Sequence, residues 1–133
     1  NGWRGSAMRT STMATLLNQL SSDLKNVLKF VNKVTSKGNN QSALETTSDK
    51  LFLLSEIEIF GATRYSYAGE GKQYEYYSAG NSTIKKVNGS ANYWWERSPY
   101  SGSTDYFCAV NSNGGANGDY ASNSHGVSFG FCV

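Results

Sequence analysis

Histidine, proline and cysteine are scarce in this sequence of 133 residues, which has one His, one Pro and two Cys. Structural zinc sites use four ligands, mostly Cys and His, and one His with two Cys is too few for such a site. A Ser-His-Asp hydrolase would have to use His125, which lies in a polar run with no strained turn around any serine. We therefore expect no metal site, no cofactor and no enzymatic activity.

Long apolar runs and clustered charges are also lacking. No stretch approaches the roughly 18 apolar residues of a membrane-spanning helix, so we expect no membrane insertion. All 12 Lys and Arg lie between Arg4 and Arg97 together with eight of the 10 acidic residues, which leaves a charge of −2 on residues 98–133. Nucleic acid binding needs Lys and Arg clustered on one face, and this pattern argues against it.

The chain does contain enough apolar and aromatic residues for one folded domain over residues 1–133. Aromatic residues make up 14% of the chain, and 14 glycines indicate many turns. A chain of this length buries about two-thirds of its unfolded surface when it folds. Because it begins at Asn1 rather than Met, we expect it to be the C-terminal part of a longer protein.

The first third has the apolar spacing of helices. The residues on one helical face are Leu16, Leu17, Leu20, Leu24, Val27, Leu28 and Val31. Ser21 to Asp23 offers capping oxygens and an early acid, which predicts a second helix starting there and two helices meeting near Leu20. Residues 36–48 are polar and are interpreted as a loop.

A strand, a sharp turn and a short helix are predicted next. Leu51 to Leu54 is typical of a buried strand, and Ser55 followed by Glu58 forms a capping box for a helix that Gly61 would end. The Tyr- and Gly-rich stretch from residue 65 to 90 is interpreted as irregular.

Three late strands complete an α+β fold. In "ANYWWERSPY", alternation puts Tyr93 and Trp95 on one face and Trp94 and Glu96 on the other, and Pro99 should end the strand. "DYFCAVN" and "GVSFGFCV" provide the other two strands. The expected fold has two N-terminal helices, a late antiparallel sheet and long irregular loops.

Five residues of these strands are predicted to form a structural frame: Trp94, Trp95, Arg97, Cys108 and Cys132. At least one tryptophan must be in the core, and the other is free to stack on a sugar. Either Glu96 or Arg97 should be a buried anchor, since arginine can tie a loop through several donors. The cysteines could form a disulfide, a reactive pair or two buried thiols, and we favour reduced thiols in the core.

The tail has an unusual composition. From Tyr100 to Gly126, 21 of 27 residues are Asn, Ser, Gly, Tyr, Asp, Thr or His. Antibody binding loops have this composition, because Tyr gives large contact area at low entropic cost while Ser, Gly and Asn hydrogen-bond adaptably. The alternative is that such residues simply form turns. Only two carboxylates accompany the tail's Asn oxygens, which is few for a calcium site.

Several motifs together resemble a domain family of unassigned function from gut clostridia and their phages. They are "NGWRGSAMR", "DKLFLLSEIEIFG", "GEGKQYEYY", "YWWERSP" and "GVSFGFCV", and they cover nearly the whole chain. The second motif is similar to a turn of the formylglycine-generating-enzyme group, whose fold is a variant of the C-type lectin fold. That fold also carries the variable proteins of diversity-generating retroelements, in which adenine-rich Asn codons are randomised to Tyr, Ser, Asp, His, Gly and Thr codons.

This resemblance implies a domain that binds a protein or glycan receptor on a cell surface, in a phage tail used for host attachment or in a bacterial surface adhesin. The residues expected to bind are Tyr100, Ser101, Ser103, Thr104, Asp105, Tyr106, Asn111, Asn113, Asn117, Asp119, Tyr120, Asn123 and His125. The tyrosines would be anchors, and the acidic residues, Asn117 and His125 would orient the ligand. A homo-oligomer is compatible with this, and a trimer is expected in a tail fibre.

Two alternatives come with the same fold. A formylglycine-generating-type oxidase would use Cys108 and Cys132 as a copper-binding pair. A calcium-dependent lectin would lose glycan binding in chelator.

Overall fold

The computed structural model describes residues 2–133. After a 3₁₀ turn at Trp3–Gly5, a π-helical turn at Met8–Thr12 runs directly into helix α1, Met13–Gln19. Helix α2, Ser22–Val27, begins after Ser21, whose side chain accepts the Leu24 N–H, as the capping signal predicts. The two helices do meet near Leu20.

The prediction for residues 28–48 is wrong. Helix α2 ends at Val27, and Val31 begins strand β1, Val31–Gly38, which pairs antiparallel with β2, Gln41–Asp49. The polar stretch taken as a loop is therefore mostly strand. Asn39 and Asn40 form its turn with φ of 54° and 59°, a left-handed conformation that Asn tolerates.

The strand, turn and helix predicted around Ser55 are confirmed. Strand β3 covers Phe52–Leu53, and helix α3 covers Glu56–Phe60. The Ser55 side chain accepts the Glu58 N–H while the Glu58 carboxylate accepts the Ser55 N–H, so both halves of the capping box form. Gly61 ends the helix with φ of 69°.

The stretch from residue 65 to 90 is less irregular than predicted. Helix α4 covers Glu75–Ser78, and strands β4, Lys85–Val87, and β5, Ser90–Asn92, form a hairpin. Asn88 and Gly89 connect these strands with φ of 51° and 83°. An Asn-Gly pair is a typical two-residue hairpin turn, and this signal was missed.

The central sheet has the order β6-β7-β8 and is antiparallel. Strand β6 covers Trp94–Pro99 and ends at the proline as expected, and β7 covers Tyr106–Val110. Strand β8, Ala116–Tyr120, lies inside the tail, where turn-forming residues had suggested none.

The last predicted strand is reduced to β9, Phe129–Gly130, which pairs with β3. On either side of it, Gly126 and Cys132 form only isolated bridges, to Trp94 and Lys29. Val127, Phe131 and Val133 are 39%, 42% and 64% exposed, so they do not form a buried strand face.

Two apolar clusters lie on opposite faces of the central sheet. One contains Trp95 and Ala109 with Trp3 and Phe52, and the other contains Trp94. Both tryptophans are therefore in the core, at 1% and 6% exposure. Stacking on a sugar, which the sequence left open for one of them, does not fit this burial. The protein is an α+β domain of small antiparallel sheets. No helix among residues 2–133 is long and apolar enough to cross a membrane.

Candidate binding surface

A buried arginine fixes the frame beneath the tail. Arg97 is fully buried on β6, and its guanidinium links β1, β3, α3 and the segment before α4. It donates to Thr35 Oγ1, the Val34, Leu53 and Glu70 carbonyls, and both Glu58 carboxylate oxygens. Arginine suits this position because its planar group offers five donors in fixed directions.

Four glutamates are buried around this arginine: Glu56, Glu58, Glu70 and Glu96. Glu58 and Glu96 were named singly from the sequence, but a buried group of four carboxyl side chains was not predicted. Glu56 accepts the backbone N–H groups of residues 64–66 at 2.6–3.1 Å, which fixes the backbone of Tyr65. Glu70 accepts the Ser36 N–H and the Ser98 hydroxyl. These bonds tie the long connections to the sheet.

Glu96 is the exception in this group. Its two carboxyl oxygens are buried and make no hydrogen bond with any residue of the described chain. Burial raises the pKa of Glu96 well above its usual value, and the charges of Glu56 and Glu70 raise it further. A charge left unpaired in the interior is costly, so this environment favours the neutral carboxylic acid form of Glu96.

The two cysteines occupy different environments. Cys108 is fully buried on β7, and burial and neighbouring carboxylates raise the pKa of its thiol. Cys132 is exposed beside β9, so the expectation that both thiols lie in the core is wrong. Both cysteines are free. Cys108 lies in the central sheet, whereas Cys132 follows β9 and forms only an isolated bridge to Lys29.

The tail is held by short-range hydrogen bonds that make it ordered. Asn111 Oδ1 accepts the N–H groups of Asn113 and Gly115, both at 2.9 Å, and the Asn111 carbonyl accepts the Gly114 N–H. This turn feeds β8, which pairs with β7 along its full length from Tyr106↔Tyr120 to Val110↔Ala116. Side chains of the tail are therefore displayed from a strand with fixed register.

One face of this hairpin carries the tyrosine row, defined as Tyr65, Tyr100, Tyr106 and Tyr120. Tyr65 stacks on Tyr100 at 5.1 Å between ring centroids, Tyr100 meets Tyr106 at 5.5 Å, and Tyr106 meets Tyr120 at 4.5 Å. Tyr120 is 51% exposed and the others are half-buried. Tyr65 was missed because it is distant in sequence and is positioned by Glu56.

The row requires a glycine beneath it. A Cβ atom added to Gly118 would lie 2.3 Å from Tyr100 Cδ2, so the Tyr100 ring packs directly on the Gly118 backbone. This glycine provides a close approach between ring and strand, which no other residue permits without moving the ring.

The opposite face carries the histidine cluster, defined as Tyr93, Asn117, Asp119, Asn123 and His125. The Asp119 carboxylate lies 2.7 Å from His125 Nε2 and accepts from Asn123 Nδ2 at 2.9 Å. Hydrogen bonds from Asn123 and His125 lower the pKa of Asp119. The imidazole stacks on Tyr93 at 4.9 Å and lies 4.8 Å from the Trp95 ring.

The outer edge of β8 is closed by its own side chains. Antiparallel alternation places the N–H groups of Gly118 and Tyr120 on the edge away from β7. Asn117 Oδ1 accepts the Gly118 N–H and Asp119 Oδ1 accepts the Tyr120 N–H, each at 2.8 Å. Two donors of this edge strand are thus satisfied without another strand.

The residues predicted to bind do not form one patch. Tyr100, Tyr106 and Tyr120 lie on one face of β7–β8, whereas Asn117, Asp119, Asn123 and His125 lie on the other. Asn111 and Asn113 lie at the other end of β8 from Tyr120, and the five residues of this strand span about 13 Å. Ser101, Ser103, Thr104 and Asp105 form the β6–β7 connection, where Thr104 donates to Asp105 and the Ser103 hydroxyl accepts the Asp105 N–H.

Within residues 2–133, no group of three or more His, Cys, Asp or Glu side chains is arranged to hold a metal ion. Asp105 and Asp119, the tail's only carboxylates, engage their own neighbours.

The fold and this surface define an α+β domain that displays tyrosine and uncharged polar groups from a rigid hairpin. A family model described as Domain of unknown function (DUF6273) matches residues 1–133, and the chain belongs to this family. Neither a curated protein nor a solved structure matches the chain.

Proposed function

We propose that this domain binds a receptor, protein or glycan, on a cell surface through the exposed side chains of its tail. The observation that carries the proposal is the tyrosine row, four rings in continuous contact beside a strand of fixed register. Rigid tyrosines lose little entropy on binding and offer both apolar area and a hydroxyl. Binding would use them as anchors, and no catalytic role is assigned.

The second part of the proposal is a C-type-lectin-like fold whose tail is varied by a diversity-generating retroelement. Supporting it are the early helices, the late antiparallel sheet and the buried "WWERSP" strand beneath an Asn-, Ser- and Tyr-rich hairpin. The frame residues Trp94, Trp95, Arg97 and Cys108 are buried, while most tail side chains are at least partly exposed. Such a division allows side chains to change without loss of the core.

The nucleotide sequence around the gene tests this second part. A nearby copy of the tail that differs only at adenines, together with a reverse transcriptase gene, is the expected finding. If neither is present, the retroelement proposal fails and an ordinary adhesin remains.

The positions of the cysteines favour binding over the oxidase alternative. A copper pair needs two thiols that meet, whereas Cys108 is buried in the central sheet and Cys132 is exposed beside another sheet. For the lectin alternative, cell binding measured in chelator is decisive, since a calcium-dependent lectin would lose binding.

Binding of the labelled domain to intact bacteria tests the function. Replacing Tyr106 and Tyr120 with alanine should weaken cell binding by about tenfold or more, as loss of aromatic anchors does. Tyr76→Ala is the matched control, because Tyr76 is 58% exposed and lies on α4, outside the row. Equal binding by both variants would contradict the role of the row. The proposed location of the domain is a phage particle or a bacterial surface. Light scattering would measure the oligomeric state of the domain.

A further inference from the structure

A second feature of the tail lies on its other face, where a cavity of about 540 Å³ opens between the N-terminal helical segment and residues 121–127. This volume falls in the range of about 300–1,000 Å³ typical of ligand sites. Its apolar walls are formed by Trp3, Met8, Leu53, Trp95, Phe107 and Val127. We call it the helix–tail pocket.

Most polar groups in the pocket walls are either hydrogen-bonded or covered. The Trp3 indole N–H donates to Asp49 Oδ2 at 3.0 Å and Trp3 is 1% exposed, so this N–H is not free to bond a ligand. The Ser6 hydroxyl donates to the Trp3 carbonyl and accepts the Arg9 N–H. Glu96 also borders the pocket, but its carboxyl oxygens are covered and its pKa is raised. Thr12 also lines the pocket, and its hydroxyl is the one side-chain polar group of these walls, apart from the rim, that is neither covered nor bonded within residues 2–133. The interior therefore offers no exposed charge and few hydrogen-bonding partners.

The rim is different, because it belongs to the tail. Asn123 and His125 use Nδ2 and Nε2 to contact Asp119. No described residue bonds to Asn123 Oδ1, to His125 Nδ1 or to the Ser124 hydroxyl, so these groups can meet a ligand at the mouth. The His125 imidazole is held in place by its contacts with Asp119, Tyr93 and Trp95.

These features select the kind of group that enters. A sugar would bring hydroxyls into the pocket, and each one buried without a partner would lose its hydrogen bonds to water. A charged side chain would find no counter-charge. A large uncharged side chain, aromatic or branched aliphatic, loses only apolar contact with water.

We propose that the helix–tail pocket receives one large uncharged side chain of a protein receptor, while the rim hydrogen-bonds the peptide groups around it. This inference rests on the proposed receptor-binding function and specifies its partner as a protein. Trp3, Met8, Leu53 and Trp95 come from outside the tail and Phe107 comes from it, so most of the apolar wall is independent of tail sequence. Asn123, Ser124 and His125 would adjust which receptor is accepted.

Nuclear magnetic resonance titration of the complete 133-residue chain tests the pocket without a known receptor. The probes are N-acetyl-tryptophanamide, Nα-acetyl-lysinamide and N-acetylglucosamine. We expect saturable shifts of the Trp3 and Trp95 indole N–H signals with the first probe alone, with a Kd of about 1 mM, which corresponds to about 4 kcal/mol. No saturable shift with it, or equal shifts with the sugar, would overturn the proposal.

A filled pocket provides the matched variant. Ala121 lines the pocket and is exposed, so Ala121→Trp should occupy the mouth without disturbing the core and abolish the shifts. Ala79→Trp, at an exposed position after α4, is the control and should bind the probe normally. Equal thermal unfolding of both variants and wild type establishes that folding is unchanged.

The same variants separate this inference from the proposed function. If Ala121→Trp binds cells as wild type does while the Tyr106 and Tyr120 replacements do not, the pocket proposal fails and receptor binding stands. If the probe binds the pocket but the domain binds no cell, the pocket does accept a large uncharged side chain, but the receptor-binding function and the receptor as its source both fail.

Discussion

Arg97 and Glu58 form a buried ion pair in which Arg97 Nη1 lies 2.6 Å from Glu58 Oε2. Burial alone would raise the pKa of Glu58, but Arg97 and Lys33 outweigh it, and the pKa is lowered. The pair connects the β6 strand to the capped helix α3. A single guanidinium thus ties β1, β3, α3 and the segment before α4 to the central sheet.

Removing that guanidinium should destabilise the fold strongly. Arg97→Met leaves the Glu58 carboxylate with Lys33 as its remaining cation, and breaking a buried pair in this way costs about 3–5 kcal/mol. The free energy of unfolding in urea measures the loss. Arg4→Met is the control, since the Arg4–Glu45 pair is exposed and worth less than about 1 kcal/mol. Similar losses in both variants would contradict the central role of Arg97.

Glu96→Gln should change how stability depends on pH. The folded pKa of Glu96 is raised above its unfolded value of about 4.3, so wild type loses stability as the pH rises from that value through the folded pKa. The variant cannot ionise there. Its stability relative to wild type should therefore increase with pH, by at most about 1.4 kcal/mol per pH unit.

Urea unfolding of both proteins between pH 4 and pH 9 provides the measurement for Glu96. Glu58 acts in the opposite direction, since its lowered pKa gives stability that is lost as the pH falls, but it is common to both proteins. Glu75→Gln removes an exposed carboxyl and controls for the net charge. A stability difference that stays constant with pH would rule out a neutral buried Glu96.

Gly118→Ala should displace Tyr100 from its stack on Tyr65. The added Cβ would overlap the Tyr100 ring, and overpacking of this kind costs about 1–3 kcal/mol. Near-ultraviolet circular dichroism reports the loss of tyrosine packing, and urea unfolding reports its cost. Gly5→Ala is the control, because a Cβ there meets no atom within 4 Å. An unchanged tyrosine spectrum in Gly118→Ala would show that the ring is not held by this contact.

The two thiols should differ sharply in reactivity. Cys132 is exposed, whereas Cys108 is buried with a raised thiol pKa, and thiolates rather than thiols react. Ellman's reagent should label one cysteine quickly in the native protein and the second only in denaturant. Cys132→Ser should abolish the fast phase. Fast labelling that persists in this variant would place Cys108 in contact with solvent.

Local sequence signals predicted the parts of the fold in which neighbouring residues decide the structure. Ser55, Glu58 and Gly61 are sufficient to begin and end α3, because a capping box and a left-handed glycine need no distant partner. Ser21 likewise marked the start of α2. Pro99 marked the end of β6 for the same reason.

The hairpins were missed because their pairing is tertiary. Strand β2 is almost entirely polar and is stabilised by pairing with β1. The helical spacing of apolar residues continues through Leu28 and Val31, beyond the end of α2 at Val27, so it predicted a longer helix than the structure has. Strand β8 contains no β-branched residue and depends on β7 for its register. In each case the backbone ladder overrides a weak propensity.

The candidate site was predicted in composition but not in geometry. The tail residues were identified, yet their division between two faces follows from the register of β8, which sequence alone did not reveal. Tyr65 joins the row only because Glu56 fixes its backbone from the interior. Buried carboxylates of this kind are rare enough that sequence patterns favour placing them on the surface.

The side chains of Asn117 and Asp119 also limit what the tail can become. A sheet edge with unpaired N–H groups invites another chain to add a strand, which leads to aggregation. By bonding the Gly118 and Tyr120 N–H groups, these two residues leave two fewer donors on this edge for another strand to pair with. If the tail varies as proposed, variants that replace both Asn117 and Asp119 would present new side chains to a receptor but would also expose the edge of β8. We expect such variants to be less soluble, so fewer tail sequences are usable than the gene can encode.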